Sequence, residues 1–174
     1  LQGRAIEGAG LDIGCGMGHT LALLHDRLTV YGIDINHKML HFGRRKMDVH
    51  NTATAVGTAL PFLNESFDWV LANQVIEHVP DYILFVEEIY RVLKPGGTAY
   101  VSTPNRWRFI RPWRPVWMIQ GLMGKIIEDP THVHEFTYNE LKVLFRKRFS
   151  VRDIICTGTL LSSTRFAISM NNWL

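Results

Sequence analysis

A run of glycines near the start of the chain is accompanied by two acidic residues. Gly14, Gly16 and Gly18 alternate with other residues directly after an apolar segment. Asp12 precedes the first of these glycines by two positions, and Asp34 follows 22 residues after Asp12. Glycine lets the backbone bend sharply and lets a ligand approach the main chain. A helix that begins after such a turn offers N–H groups to an anion. A nucleotide pyrophosphate and an amino-acid carboxylate both fit this much of the pattern.

The spacing of the glycines argues against a dinucleotide. The dinucleotide fingerprint requires G-x-G-x-x-G, whereas His19 stands where the third glycine belongs and Gly18 comes one residue earlier. The carboxylate of Asp12 repels a pyrophosphate but attracts an ammonium group. An acid at Asp34 can accept hydrogen bonds from both hydroxyls of a ribose. A ligand with an amino acid at one end and a ribose at the other is S-adenosylmethionine.

Strand and helix patterns alternate around these residues. The pattern predicts strands at 9–13, 29–33, 52–56, 67–72, 98–102, 151–156 and 165–170. It predicts helices at 19–28, 37–50, 82–93 and 138–149, with Asn36 as an N-cap and a capping box formed by Thr137 and Glu140. This alternation indicates a parallel sheet with helices on both faces, in which ligands bind at the carboxyl ends of the strands.

Composition and charge narrow the class of protein. The 174 residues, 47% hydrophobic and 20% charged, are typical of one globular domain over residues 1–174. The net charge of +3 is a mild excess. The two cysteines, Cys15 and Cys156, form neither a metal-binding spacing nor a disulfide framework, which favours a reducing, cytoplasmic environment. The apolar segment 116–127 is too short to span a bilayer.

Four segments taken in order resemble the class I S-adenosylmethionine-dependent methyltransferases. They read "LDIGCGMG", "GIDIN", "ALPFLNESFDWVLANQVIEHV" and "EEIYRVLKPGGTAYVSTPN", between about Gly10 and Asn105. The chain is most similar to the subgroup that acts on small molecules, quinone precursors and sugars. The resemblance implies an α/β fold: a Rossmann-like doubly wound sheet, mostly parallel, with seven strands in the order 3-2-1-4-5-7-6 and the last antiparallel. It implies S-adenosylmethionine as methyl donor and S-adenosylhomocysteine as product.

The resemblance also implies a set of cofactor-binding residues. Asp12 and the glycines correspond to positions that hold the methionine end, and Asp34 to the position that holds the ribose. Thr58 and Ala59 correspond to positions beside the adenine, although the family often has an acid where Thr58 stands. The full predicted set is Asp12, Gly14, Cys15, Gly16, Gly18, Asp34, Ile35, Thr58, Ala59, Asn73 and Gln74.

The acceptor side is expected after the fourth strand. His78 is the candidate catalytic residue, as a base or as a group that orients the acceptor, because its ordinary pKa lies near neutral pH. The alternative is that Glu77 and His78 only pack and hydrogen-bond beneath a loop. The motif N/D-P-P-Y/F of amino-methylating nucleic-acid enzymes is missing after Asn73. This absence favours oxygen as the nucleophile.

Some relatives carry E-x-x-E-H at this place and use a divalent ion. Gln74 replaces the first glutamate of that motif here, which removes charge from a site for a hard cation. Other side chains that can ligate a metal follow later in the chain, at His132, His134 and Glu135. The balance of these observations predicts no metal.

An insertion at 106–130 interleaves arginines with tryptophans and a phenylalanine. Four interpretations remain: a lid over an anionic acceptor, a peripheral membrane contact through 106–127, a grip on single-stranded RNA, or a cover for apolar surface. We expect O-methylation of a small molecule, a sugar or a lipid-linked intermediate, and no nucleic-acid partner. The alternatives are a catalytically silent cofactor-binding scaffold, an RNA methyltransferase and a nicotinamide-dependent reductase. About ten residues precede the first strand, so we expect the family's N-terminal cap helices to be missing.

Overall fold

A seven-stranded sheet forms the centre of the molecule. The computed structural model describes residues 7–105, 131–157 and 165–172. The strands are β1 (Ala9–Ile13), β2 (Thr29–Asp34), β3 (Thr52–Thr54), β4 (Phe67–Asn73), β5 (Leu93–Pro104), β6 (Phe149–Thr157) and β7 (Arg165–Asn172). Their order in the sheet is β3-β2-β1-β4-β5-β7-β6. The first five strands pair in parallel, and β7 is antiparallel to both β5 and β6. The predicted fold class and strand order are confirmed.

Helices connect the strands and cover both faces of the sheet. They are α1 (His19–Leu24), α2 (His37–Met47), α3 (Tyr82–Val92) and α4 (Tyr138–Arg146), with a 3₁₀ turn at Ile76–His78. The Asn36 side chain accepts hydrogen bonds from two backbone N–H groups at the start of α2. Thr137 and Glu140 form both halves of the predicted capping box at α4. Within the described ranges, no helix has the length and hydrophobicity needed to cross a membrane.

The bounds of several elements differ from the predicted ones. Helix α1 ends at Leu24, before a turn at 25–27, and α2 ends at Met47, before Asp48, whose φ of 55° is left-handed. The largest difference is at β5, which begins at Leu93 immediately after α3. Leu93 pairs with Phe67, and the register then shifts before Trp69. The proline and glycines of this segment are therefore accommodated in an irregular start of the strand.

Two apolar clusters pack on opposite faces of the sheet. The larger includes Leu11 and Ile13 of β1, Phe85 of α3 and Phe145 of α4. The smaller lies under α1 and α2 and consists of Cys15, Leu21, Val30, Leu40, Val49 and Trp69. With both faces covered, the carboxyl edge of the parallel strands is the place where a ligand can reach the sheet. The insertion at 106–130, including the proposed membrane-contact segment 106–127, lies outside the described residues.

Candidate active site

A cleft of about 560 Å³ opens at the carboxyl ends of β1, β2 and β4. This volume falls within the usual range of small-molecule sites. Six of the predicted site residues line it: Gly14, Asp34, Ile35, Thr58, Gln74 and His78. The structure therefore gathers residues from the predicted cofactor and acceptor sides around one cleft.

The glycine turn after β1 lies at one wall of this cleft. The N–H groups of Gly14 and Cys15 both donate to the Ile33 carbonyl, at 2.8 and 3.0 Å, which ties the turn to β2. Gly14 has φ of 73°, and a Cβ there would lie 2.5 Å from a methyl of Val75. Gly16 has φ of 56°, and a Cβ there would meet nothing within 4 Å. The first glycine is thus required by close packing, and Gly16 presents bare backbone to open space.

Asp34 holds the turn from the other side. One of its carboxylate oxygens accepts a hydrogen bond from the Gly16 N–H at 2.8 Å, and the other accepts from the Asn36 N–H at 2.7 Å. Two oxygens offer about four acceptor positions, so lone pairs remain for the hydroxyls of a ligand. Ile35, next along the chain, is 74% exposed and lines the cleft. Asp34 therefore fixes the shape of the turn and faces the cleft.

Asp12 lies deeper than its neighbours. Its side chain is buried, and burial raises the pKa of the carboxyl to about 6. A hydrogen bond with the Thr20 hydroxyl opposes that shift, and the charge of Asp34 adds to it. The described residues that line the cleft do not include Asp12. Its carboxylate is consequently a charge that the native structure holds at a cost.

Cys15 and Gly18 have local structural contacts. The Cys15 thiol is buried in the smaller apolar cluster, and burial raises its pKa to about 12. Such a thiol is inert at neutral pH. Gly18 is the left-handed N-cap residue of α1, and its N–H donates to the Cys15 carbonyl at 2.8 Å.

The end of β4 has a strained backbone. Gln74 has φ of 58°, a left-handed conformation that is uncommon for this residue type. Its backbone N–H donates to the Ser102 carbonyl at 3.0 Å, and its side-chain amide donates to the Ser102 hydroxyl at 3.2 Å. The same hydroxyl donates to the side-chain oxygen of Asn73. Strain of this kind is concentrated at functional sites.

The loop after β3 is held by an ion pair on α3. Leu60 donates its N–H to Glu88 at 2.7 Å, and the Arg91 guanidinium donates to the Leu60 carbonyl at 3.0 Å. Arg91 and Glu88 also pair directly at 2.6 Å, and this contact lowers the pKa of the Glu88 carboxyl. The pair supports the segment that carries Thr58 and Ala59. Sequence reasoning missed this pair, although its i,i+3 spacing on a predicted helix was a usable signal.

The acceptor side brings two distant segments together. His78 is exposed, lines the cleft, and has its Nδ1 3.0 Å from the Thr131 carbonyl oxygen. The N–H groups of Val133 and His134 both donate to the Glu77 carbonyl, at 2.8 and 3.1 Å. These bonds fix the segment that follows the insertion against the 3₁₀ turn.

The sequence-predicted candidates in that segment separate into two groups. His132 pairs with Glu135 at 3.2 Å, and its ring centroid lies 4.9 Å from that of His78. The ring of His134 packs instead against Tyr82 and Phe136, with centroids 5.1 and 4.4 Å away. Of the two histidines in this segment, His132 is therefore the one beside His78.

Comparisons with known proteins match this architecture. A family model described as a methyltransferase domain matches residues 11–101, just over half of the chain. The demethylmenaquinone methyltransferase of Listeria welshimeri is 38% identical over 119 residues, which cover 62% of this chain and 49% of that protein. A probable S-adenosylmethionine-dependent methyltransferase of Mycolicibacterium smegmatis is 34% identical over 150 residues, which cover 83% of this chain and 53% of that protein.

A solved structure shows the same fold. The S-adenosylmethionine-dependent methyltransferase from Methanosarcina mazei superposes with a TM-score of 0.75 at 22% identity, over 98% of this chain and 95% of that chain. At this identity the likeness speaks for the fold alone. The chain spans about half the length of the curated relatives it matches.

Proposed function

Because the chain belongs to the family of S-adenosylmethionine-dependent methyltransferases, we propose that the protein transfers a methyl group from S-adenosylmethionine to an oxygen of a small-molecule acceptor. The observation that carries the proposal is the open backbone of Gly16 beside the carboxylate of Asp34, which lines the cleft. Main chain without a side chain lets a ligand approach closely, and the carboxylate offers acceptors for a ribose.

We propose that the cofactor-binding residues have the roles implied by the family resemblance. The methionine end lies against the glycine turn, with its ammonium attracted to the ionised carboxylate of Asp12. The ribose binds Asp34, and the adenine lies beside Thr58 and Ala59. The sulfonium methyl then points toward Asn73 and Gln74 at the end of β4 and toward the acceptor.

Methyl transfer from a sulfonium is an in-line displacement with a good leaving group. The protein's main task is therefore to align the nucleophile with the methyl carbon. A base is needed only where the acceptor still holds its proton. His78 lines the same cleft as Asp34, and this position supports the proposal that it orients or deprotonates the acceptor.

The acceptor class rests on the sequence and on a relative's name. The missing amino-methylation motif after Asn73 favours oxygen over nitrogen. The Listeria relative, named for demethylmenaquinone, supports a small-molecule acceptor of the quinone type. A sugar or a lipid-linked intermediate is also proposed as the acceptor, because the family resemblance includes enzymes that act on sugars. The insertion at 106–130 is proposed as the lid over the acceptor. Segment 106–127 is proposed as a peripheral membrane contact of an otherwise cytoplasmic protein.

Calorimetry with S-adenosylhomocysteine tests the cofactor site. Asp34→Asn keeps the size of the side chain and leaves one oxygen for two backbone N–H donors and a ribose. Loss of a charge-assisted hydrogen bond costs about 1.5–3 kcal/mol. We therefore expect about tenfold to hundredfold weaker binding, whereas Asp26→Asn, at an exposed acid beside α1, retains the parent affinity. Absence of binding by the unmodified full-length protein removes the proposal.

Turnover is tested with methyl-labelled S-adenosylmethionine and a panel of hydroxylated quinols, sugars and lipid-linked sugars. We expect label in an O-methyl product and S-adenosylhomocysteine in equal amount. Tight cofactor binding with no turnover on any acceptor favours the silent scaffold instead.

Sedimentation with anionic vesicles tests segment 106–127. A full-length protein that stays in the supernatant contradicts the membrane contact.

A further inference from the structure

Three side chains that can ligate a metal converge beside the cleft. A carboxylate oxygen of Glu77 and one ring nitrogen each of His78 and His132 all lie within 4.8 Å of one another. A first-row ion bound about 2.1 Å from each ligand holds the ligand atoms about 3–4 Å apart. Small side-chain rotations are enough to close this cluster around one ion.

Glu77 is the observation that sets this cluster apart from surface charges. Its side chain is 0% exposed, and neither carboxylate oxygen makes a hydrogen bond of normal geometry with a described residue. Burial raises the pKa of the Glu77 carboxyl, and the Thr103 hydroxyl and the two neighbouring imidazoles oppose that shift. Buried polar groups are nearly always satisfied, so a fully buried carboxylate that makes no hydrogen bond of normal geometry requires an explanation. A cation between the carboxylate and the imidazoles provides one.

Both imidazoles are oriented by acceptors at Nδ1. His78 places Nδ1 3.0 Å from the Thr131 carbonyl oxygen, and His132 places Nδ1 3.2 Å from a carboxylate oxygen of Glu135. An acceptor at Nδ1 selects the tautomer in which Nδ1 carries the proton and Nε2 carries the lone pair. Metal-ligating histidines almost always have such a partner on their other nitrogen, and a carbonyl and a carboxylate are the usual ones.

The backbone makes the cluster a built feature. The carbonyl of Glu77 accepts the N–H groups of Val133 and His134, so the residue that supplies the carboxylate also anchors the segment that supplies His132. The segment is held again at its end, where Phe136 forms a β-bridge with Asn105. The two imidazoles are therefore brought together by main-chain hydrogen bonds that need no ion.

We propose that Glu77, His78 and His132 bind one divalent first-row transition-metal ion at the acceptor side of the cleft. Two imidazoles and one carboxylate suit Zn²⁺, Fe²⁺ or Mn²⁺, whereas Mg²⁺ and Ca²⁺ prefer oxygen ligands throughout. The proposal departs from the sequence-based expectation of no metal. That expectation weighed the loss of charge at Gln74 against the later candidates His132, His134 and Glu135. The structure places one of these, His132, beside Glu77 and His78.

The role of the ion rests on the proposed function. Three protein ligands leave coordination positions open, and His78 lines the cleft, so an acceptor hydroxyl can bind the ion there. Binding lowers the pKa of that hydroxyl, its O–H bond breaks, and the proton passes to solvent. The oxygen then bonds to the methyl carbon as the carbon–sulfur bond breaks. The electron pair stays on sulfur, which leaves as the thioether of S-adenosylhomocysteine. In this scheme His78 acts as a ligand and no side-chain base is required.

Metal titration of the full-length protein tests the site directly. Protein stripped with a chelator is titrated by calorimetry with Zn²⁺, Mn²⁺ and Mg²⁺ chlorides, and Co²⁺ is added to a separate sample for visible absorption. We expect one Zn²⁺ per chain, binding by Mg²⁺ at least tenfold weaker, and a Co²⁺ spectrum that reports nitrogen ligands. We expect His132→Asn and Glu77→Gln each to bind Zn²⁺ at least tenfold more weakly than the parent protein. The matched control is His25→Asn, because His25 is an exposed histidine in the turn after α1.

The outcomes separate this proposal from the proposed function. Titration of the stripped protein with S-adenosylhomocysteine reports the cofactor site and needs no metal. If that ligand binds and Zn²⁺ does not, the metal site is wrong and the cofactor site stands; the reverse result removes the cofactor site alone. Zn²⁺ binding that is unchanged in both cluster variants, each with a native circular dichroism spectrum, also overturns the metal site.

Discussion

The affinity for S-adenosylhomocysteine should rise with pH through the titration of Asp12. The pKa of this buried carboxyl is raised to about 6, mainly by burial. If the ionised form attracts the ligand's ammonium, about one tenth of the protein is competent at pH 5 and about nine tenths at pH 7, since the carboxyl titrates midway between them. We therefore expect the dissociation constant to fall about tenfold between pH 5 and pH 7. The ligand's own ammonium stays protonated over this range.

Asp12→Asn separates this effect from other titrations. Calorimetry of the two proteins in the presence of a chelator should give a dissociation constant that changes tenfold with pH for the parent, and a weaker affinity that does not change with pH for the variant.

The contribution of Asp12 to stability should change with pH in the opposite direction to the affinity. The folded-state pKa of about 6 exceeds the ordinary value of 3.8, so the contribution of Asp12 to the free energy of unfolding is highest below pH 3.8 and falls as pH rises through 6. The full loss corresponds to about 3 kcal/mol, at about 1.4 kcal/mol for each pKa unit.

Urea unfolding followed by tryptophan fluorescence at pH 4 and pH 8 measures that loss. The parent should lose stability between these pH values relative to Asp12→Asn, and S-adenosylhomocysteine should restore part of it at pH 8. An affinity that is the same at pH 5 and pH 7, or that changes equally in parent and variant, would refute the assignment of the ammonium to Asp12. Equal pH dependence of unfolding in the two proteins would refute the burial argument.

Three further predictions concern the walls of the cleft. Gly16→Ala should lower the free energy of unfolding by about 1 kcal/mol, because its φ of 56° disfavours a side chain, and should weaken S-adenosylhomocysteine in calorimetry since the new methyl enters open space. Glu88→Gln should destabilise the protein by about 1–2 kcal/mol in urea unfolding and raise hydrogen exchange at Leu60, because the charged partner of Arg91 is lost. Cys15 should resist iodoacetamide at pH 8 in the folded protein and react after denaturation, as followed by peptide mass spectrometry; modification in the native state contradicts the raised thiol pKa.

Much of the fold follows from local signals in the sequence. The apolar run before Gly14 and the β-branched run before Asp34 both form strands of the parallel sheet, and both end at the cleft. The side chains of Asn36 and Thr137 cap helices because their oxygens satisfy the first N–H groups of each helix. The glycine spacing was informative for the same reason, since a positive φ at Gly14 is a local requirement.

The missed features depend on contacts between segments that are distant in sequence. Leu93 leaves the helical pattern because it pairs with Phe67 across the sheet, and no local propensity records that register. Asp12 is buried at the end of β1, where its carboxyl interacts with the Thr20 hydroxyl of α1. His132 lies beside Glu77 because the N–H groups of Val133 and His134 donate to the Glu77 carbonyl, which is far away in sequence. A single sequence shows which side chains are available, and tertiary packing decides which of them meet.

Three energetically unfavourable features of the described residues lie near the carboxyl ends of the parallel strands. Asp12 and Glu77 are both buried carboxylates, and burial raises the pKa of each. Gln74, which lines the cleft, holds a left-handed backbone conformation. None of these residues is needed for the apolar clusters. A sequence optimised for stability alone would have neutral side chains in place of both acids. A positively charged ligand group beside each carboxylate recovers the energy that burial costs, which is why we assign an ammonium to one and a metal ion to the other.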